Sequence, residues 1–257
     1  MLKFLCNKFT ILIYSKHDIT IYTKKSMIES IKDFIPGIHK EGYVFILIFI
    51  IITLVLFLIS QKLGWIGVLL TIWCVFFFRD PERVTPIEKD FVISPADGLV
   101  QRITTAKLPP ELEGGDEEYT RVSIFLNVFD VHVNRIPIEG EVKILHYHPG
   151  KFFNASLDKA SEHNERQSIL IETPENKLVG VVQIAGLIAR RIVCNLKDHE
   201  QVKTGERFGI IRFGSRVDVY LPKGIEPQVI EGQRVVGGES IIANLKGVQN
   251  KRIGEVR

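Results

Sequence analysis

Two stretches of this chain carry no charge, and the texture changes abruptly after the second. From Gly42 to Gln61 the sequence reads GYVFILIFIIITLVLFLISQ, and beyond Lys62 a second uncharged run extends from Leu63 to Phe78. The first run has the roughly 20 apolar residues that a bilayer-spanning helix needs, and the second is shorter. A core helix of a soluble domain keeps one polar face, and neither run has one. Nor does a cleaved signal fit, because the first run starts too far from the N-terminus and a second follows it directly. The pattern predicts a transmembrane helical hairpin over 42–78, turning at Gln61-Lys62-Leu63-Gly64, with Trp65 and Trp73 available at the interfaces. Both ends then leave on one side. Lys24, Lys25, Lys32, Lys40, Arg79 and Arg83 flank that side, which the positive-inside tendency makes cytoplasmic.

Past Arg79-Asp80-Pro81, where proline stops a helix, short alternating or β-branched segments are separated by Gly, Pro, Asn and Asp. They predict strands at Phe91–Ile93, Gly98–Ile103, Thr120–Leu126, Gly140–His148, Gln167–Glu172, Leu178–Ala185, Phe208–Phe213, Val217–Leu221 and Ser240–Ala243. With little helix and no linker, residues 79–257 read as a single β-rich, sandwich- or barrel-like domain. The longest unpatterned piece, Lys151 to Gln167, has the length of a functional loop. Residues 1–41 form an N-terminal extension and juxtamembrane segment. Residues 1–26 show no clear period, whereas Met27 opens the amphipathic stretch MIESIKDFIPGIHKEG, so Met27 is the expected start.

Charge and cysteines narrow the chemistry. The 257 residues carry a net charge of +3 without a basic block, which argues against a nucleic-acid partner. Cys6, Cys74 and Cys194 lie too far apart for a disulfide framework or a metal motif, and suit a reducing compartment. His146 and His148 would share one face of a strand, the spacing of a metal pair, but no third ligand follows in pattern and no metal is expected.

The dipeptide Gly214-Ser215, near the end of the chain, carries more information. A serine after an unhindered glycine carbonyl, in a strand-rich setting, is able to attack that carbonyl and cut the backbone if a base takes its proton. His132, between apolar strand residues in Asp130-Val131-His132-Val133-Asn134-Arg135, is a candidate for that base, although a lone histidine in such a setting is more often a packed or capping residue. Asp97, in Ser94-Pro95-Ala96-Asp97-Gly98, is attractive as an orienting carboxylate, although Asp-Gly by itself reads first as a turn.

Together these segments resemble the phosphatidylserine decarboxylase proenzymes of the short bacterial and archaeal type. The resemblance rests on the apolar hairpin running into Phe77-Phe78-Arg79-Asp80-Pro81, then Ser94-Pro95-Ala96-Asp97-Gly98, Asp130 to Arg135, Asn164-Glu165-Arg166, and Phe213-Gly214-Ser215 near the end. Their order and spacing cover residues 30 to 245. The resemblance implies a carboxy-lyase that cleaves itself between Gly214 and Ser215 into a β chain (1–214) and an α chain (215–257). Ser215 becomes a covalent pyruvoyl group, the only cofactor implied, which forms a Schiff base with the amine of phosphatidylserine and yields phosphatidylethanolamine and CO2. It further implies that Asp97, His132 and Ser215 match the processing triad, and that the two chains form a heterodimer, with further dimerisation left open. The expected location is the cell (inner) membrane, with the catalytic domain on the cytoplasmic side.

In one place the chain departs from the pattern of some longer members, which carry a second histidine where Arg135 stands. Arg135 and Arg166 are candidate ligands for the lipid phosphate, and are equally readable as surface arginines. An archaetidylserine decarboxylase would use the same motifs. Two other classes fit less well. A lipoyl-type module would need Lys159 at a tight hairpin, and a serine hydrolase would need a second glycine and a helix after Ser215.

Overall fold

The computed structural model of the protein describes residues 36–150, 164–186, 191–212 and 215–247, together with the backbone of three N-terminal strands. The chain divides into two units, Met1–Gly37 and Ile38–Arg257. In the first, β1 (Phe4–Asn7), β2 (Thr10–Tyr14) and β3 (Ile19–Thr23) form an antiparallel meander, pairing Phe4 with Ile13 and Thr10 with Thr23. Sequence periodicity missed this sheet. The expected start at Met27 lies outside the described residues.

The second unit opens with two helices, α1 (Gly42–Ile59) and α2 (Gln61–Phe77). They pack antiparallel through small residues, since a Cβ on Gly67 would sit 2.8 Å from the Thr53 hydroxyl and one on Gly64 would fall inside the Phe57 ring. The Thr53 and Thr71 hydroxyls meet at 3.0 Å across this seam. Outward-facing residues are apolar all round, Leu58 being 87% exposed and Leu69 67%. Among the described residues α1 alone is long and apolar enough to cross a membrane; α2 is one residue short of that length at 17.

The rest is mainly β. Its strands are β4 (Phe91–Ile93), β5 (Gly98–Lys107), β6 (Glu118–Leu126), β7 (Val133–Arg135), β8 (Gly140–His148), β9 (Arg166–Glu172), β10 (Leu178–Ala185), β11 (Ile192–Cys194), β12 (Gln201–Val202), β13 (Arg207–Ile211), β14 (Ser215–Leu221), β15 (Arg234–Val235) and β16 (Ile241–Asn244). Eight of them form one antiparallel sheet in the order β12-β8-β9-β10-β14-β6-β5-β15, open at both edges. Two short sheets, β11-β13-β7 and β16-β4, pack on one of its faces. Every strand read from alternation is present within a few residues. Those of two or three residues at β7, β11, β12 and β15 are too short to carry a period.

Side-chain alternation divides the sheet into two faces. Val217, Val219 and Leu221 of β14 join Val122, Ile124 and Leu126 of β6 and Val179 and Val181 of β10 in the main core, with Ile211 and Phe208 of the smaller sheet. On the opposite face Tyr220, Val182, Ile184, Leu170, Leu112 and Tyr119 make a second, smaller cluster. Cys74, Phe77 and Phe78 at the end of the helix pair pack on Val131, Val133 and Ile210, so the base of the helices is part of the domain's own packing.

Candidate active site

Ser215 is the first residue of β14, two residues earlier than the sequence pattern places the strand's start. It pairs with Leu126 on one side and Ala185 on the other, and by parity it faces the main core with Val217 and Val219. The residue is 0% exposed, and its hydroxyl has no hydrogen-bond partner among the described residues. A buried hydroxyl without a partner costs on the order of 1–3 kcal/mol, so its place needs a reason beyond packing. Phe213 and Gly214 lie outside the described residues.

His132 reaches the same end of the sheet by a different route. After β6 ends at Leu126, the chain turns through Asn127 to Asp130, where the Asn127 N–H donates to the Asp130 carboxylate at 2.9 Å. It then enters β7, which pairs with β13 through Val133 with Ile210 and Asn134 with Gly209. The Ile211 N–H donates to the His132 carbonyl at 3.3 Å, so His132 is tied to the strand that leads into Gly214-Ser215. The imidazole is fully buried. Nδ1 lies 3.0 Å from the Asp130 carbonyl, an arrangement that assigns the proton to Nδ1 and the acceptor lone pair to Nε2. Burial lowers its pKa to about 3, opposed by the Asp130 carbonyl and assisted by the Arg79 charge. His132 is therefore a neutral imidazole throughout the physiological range.

Asp97 precedes β5, which lies next to β6 in the sheet. The Arg135 N–H donates to the Pro95 carbonyl at 2.9 Å, which ties the segment carrying Asp97 to the one carrying His132. The carboxylate is held by the Arg83 guanidinium at 2.7 Å and by the Gly237 N–H at 2.8 Å. Burial raises its pKa, Arg83 and the Gly237 amide pull it down, and the charges of Arg79 and Asp130 also reach it. Gly98 permits the approach, since a Cβ there would stand 2.3 Å from the Phe125 carbonyl oxygen. Thus β5, β6 and β14 bring the segment after Asp97 and the head of β14 at Ser215 to one sheet end, while His132 is tied to β13, the strand that leads toward Ser215.

The other sequence candidates fare differently. Arg135 and Arg166 are buried, so neither is a surface arginine. Arg135 donates to the carbonyls of Gly205 (3.0 Å) and Pro81 (2.8 Å), and Arg166 makes a two-toothed contact with Glu111 at 2.6 and 3.0 Å. Guanidiniums committed in this way serve the fold, as ties between segments far apart in sequence. His146 is exposed and His148 half-buried on β8, and no group of three metal-ligating side chains occurs among the described residues. Lys159, His163 and residues 151–163 of the long loop lie outside the described residues.

Several neighbours, some of them inside the quoted motifs, had no role legible in the sequence. Phe77 covers the His132 ring with centroids 4.2 Å apart. Gln183 Nε2 donates to Asn134 Oδ1 at 2.7 Å, a fully buried pair that joins β10 to β7 beneath the site. Glu165 accepts from the Ile192 N–H at 3.0 Å, and Asn164 donates at 2.7 Å to the carbonyl of Ala185, the residue that pairs with Ser215. These bonds explain the Asn-Glu-Arg run as the support of β10's end.

Comparison with known proteins agrees with this arrangement. The family model for phosphatidylserine decarboxylase matches residues 70–243. The phosphatidylserine decarboxylase proenzyme of Rickettsia africae (strain ESF-5) is 59% identical over 212 residues, covering 82% of this chain and 92% of that protein. The one from Rickettsia akari (strain Hartford) is 57% identical over 225 residues, 88% of this chain and 96% of its own. A match of this extent places the protein in the phosphatidylserine decarboxylase family.

Proposed function

We propose that this chain is a proenzyme that cuts itself between Gly214 and Ser215 and then decarboxylates phosphatidylserine to phosphatidylethanolamine. The observation that carries the reading is the Ser215 hydroxyl, buried and unpartnered among the described residues at the head of β14.

Ser215 Oγ attacks the Gly214 carbonyl carbon and its proton passes to a base. The bond from that carbon to the Ser215 nitrogen breaks, the nitrogen takes a proton, and an ester joins Gly214 to Oγ. Loss of the Cα proton of residue 215 then expels the Gly214 carboxylate. The dehydroalanine left behind tautomerises and takes up water, releasing ammonia and leaving a pyruvoyl group at the head of the α chain. The buried, orphaned hydroxyl fits the origin of such a group. Once formed, its ketone supplies the sink for the electron pair left behind when CO2 departs.

His132 is our candidate for the proton carrier. As a neutral imidazole with pKa near 3, it accepts the Ser215 proton only transiently and returns it readily, first to the departing nitrogen and, in turnover, to the substrate α carbon. Asp97 is assigned the orienting charge at the same sheet end, itself anchored by Arg83 and Gly237.

The products of the cut stay together for a mechanical reason. In the α chain, β14 lies between β10 and β6 of the β chain, and β15 and β16 pair with β5 and β4. The heterodimer thus shares strands in two sheets, the eight-stranded one and the β16-β4 pair, with the cut in the connection that enters β14. The helix pair is read as a membrane hairpin, α1 spanning, with the domain on the cytoplasmic face. Holding the site at the bilayer surface avoids extracting a diacyl substrate, at about 0.8 kcal/mol per buried methylene. The short sheets layered on the large one are read as sandwich-like.

Intact masses of the purified protein and of Ser215→Ala, with decarboxylation of phosphatidylserine vesicles followed in both, test the proposal. Two chains with the smaller beginning at residue 215 and blocked at its amino end, active only in the native sequence, are expected. A single uncut chain that still releases CO2 would overturn it.

A further inference from the structure

Between β13, which ends at Ile211, and β14, which begins at Ser215, the scissile bond is carried by three residues. Each flanking strand is held in its own sheet, β13 in the three-stranded one and β14 in the eight-stranded one. Arg212, the first residue of the connection, is held by the base of the helix pair instead. Its Nη2 donates to the carboxylate of Glu41, the residue immediately before α1. The guanidinium carbon stands 5.1 Å from the centroid of the Phe45 ring, one turn into that helix. The contact continues through aromatic rings. Phe45 stacks on Phe78 at 5.4 Å and 16°, Phe78 meets Phe77 edge-on at 5.0 Å, and Phe77 lies on His132 at 4.2 Å. One packed row therefore joins the upstream arm of the cleavage segment to the imidazole beside it.

Resting on the self-cleavage reading above, we infer that Glu41 and Arg212 are positioning residues for backbone cleavage: the ion pair holds the upstream arm of Gly214-Ser215 against the helix base. An attack of a hydroxyl on its own preceding carbonyl demands a bent backbone held close to a productive geometry, and small misplacements cost large factors in rate. With side chains 18% and 27% exposed, the pair is partly shielded from solvent, so its geometry is defined and screening by salt is reduced. The helix pair is then more than an anchor. A chain whose helix base has not assembled lacks one arm of the clamp and waits uncut.

The test is a time course of self-cleavage of the full chain in detergent micelles, followed on denaturing gels, for Glu41→Gln, Arg212→Gln and the exchanged pair Glu41→Arg with Arg212→Glu. Each is also built on Ser215→Ala, which stays uncut, so that thermal midpoints of the folded precursors are compared directly. Single variants are expected to cleave about tenfold more slowly or worse, at unchanged midpoints, and the exchanged pair to recover to within about threefold. Single variants that cleave at the native rate, or slow ones that the exchange fails to rescue, would overturn the proposal. Where a midpoint falls, Arg212→Lys decides. It keeps the charge without the fork, so a rate between native and Arg212→Gln supports the clamp and a rate equal to Arg212→Gln sinks it. Cleavage of the Ser215→Ala chain itself would instead remove the self-cleavage reading, independently of Glu41.

Discussion

The ring of Phe77, the last residue of α2, lies against the imidazole of His132 with centroids 4.2 Å apart and planes tilted by 34°. Both side chains are fully buried, and the contact joins the apolar helix pair to the polar end of the β-sheet. Burial is the main cause of the imidazole's depressed pKa, and the Phe77 ring is one of the groups packed on it. Phe77→Ala is expected to move the His132 titration upward from about 3 toward its ordinary 6.5, followed by NMR of ring-labelled protein. An unmoved titration would show that other groups exclude the water. The same change should cost about 3–5 kcal/mol of stability as a large-to-small core substitution.

The pH dependence of stability follows with its sign. His132 is neutral in the folded state down to about pH 3 and protonates near 6.5 when unfolded, so the unfolded chain binds the extra proton in between. Its contribution is fully present above pH 6.5 and is lost as pH falls, at about 1.4 kcal/mol per unit. Denaturant midpoints of Ser215→Ala should fall between pH 7 and 5, and His132→Gln should flatten that slope.

Glu111 acts in a lower window. Burial alone would raise its pKa, but the hydrogen bonds from Arg166 and Ser168 prevail and hold it at about 2. Its stabilisation is present above 4.5 and is lost as pH drops toward 2. Arg166→Met leaves this carboxylate buried without its cation and is expected to cost about 3–5 kcal/mol, whereas Glu111→Gln with Arg166→Met should cost less than the sum of the single changes. Urea unfolding of the four proteins checks it, and strict additivity would contradict the coupling.

Gly98 is a position where a single methyl group matters. Its Cβ would meet the Phe125 carbonyl oxygen at 2.3 Å, in β6, next to Leu126, which pairs with Ser215. Gly98→Ala must push β5 from β6 and displace Asp97, so a loss of about 3 kcal/mol together with slowed cleavage is expected. Native stability and a native cleavage rate would show that the sheet end yields without disturbing the site.

If the cut chains are held by shared strands, they should co-elute on size exclusion in mild detergent and separate only in denaturant. Separation of the pieces under native conditions would contradict the sheet's role, because β14 would have to leave both β10 and β6.

What the sequence by itself determined was local. Uncharged runs dictate two helices because no polar face offers an alternative, and alternation places each longer strand within a few residues because the pleat has a period of two. Ser215, His132 and Asp97 were legible as residue types in short motifs, and the family resemblance followed from their order. Tertiary structure alone decided their neighbours. Phe77 on His132, Arg83 on Asp97, Gln183 on Asn134 and Glu41 on Arg212 join segments from 14 to 171 residues apart, and no local period encodes such pairs. It also decided that Arg135 and Arg166 are buried and not surface arginines, since a motif records an arginine and not the carbonyls and carboxylate that it meets in the fold. Local rules act through the backbone's own repeat. Partners across a sheet are chosen by which faces the folded chain can bury together, and that choice exists only once the strands have found their order.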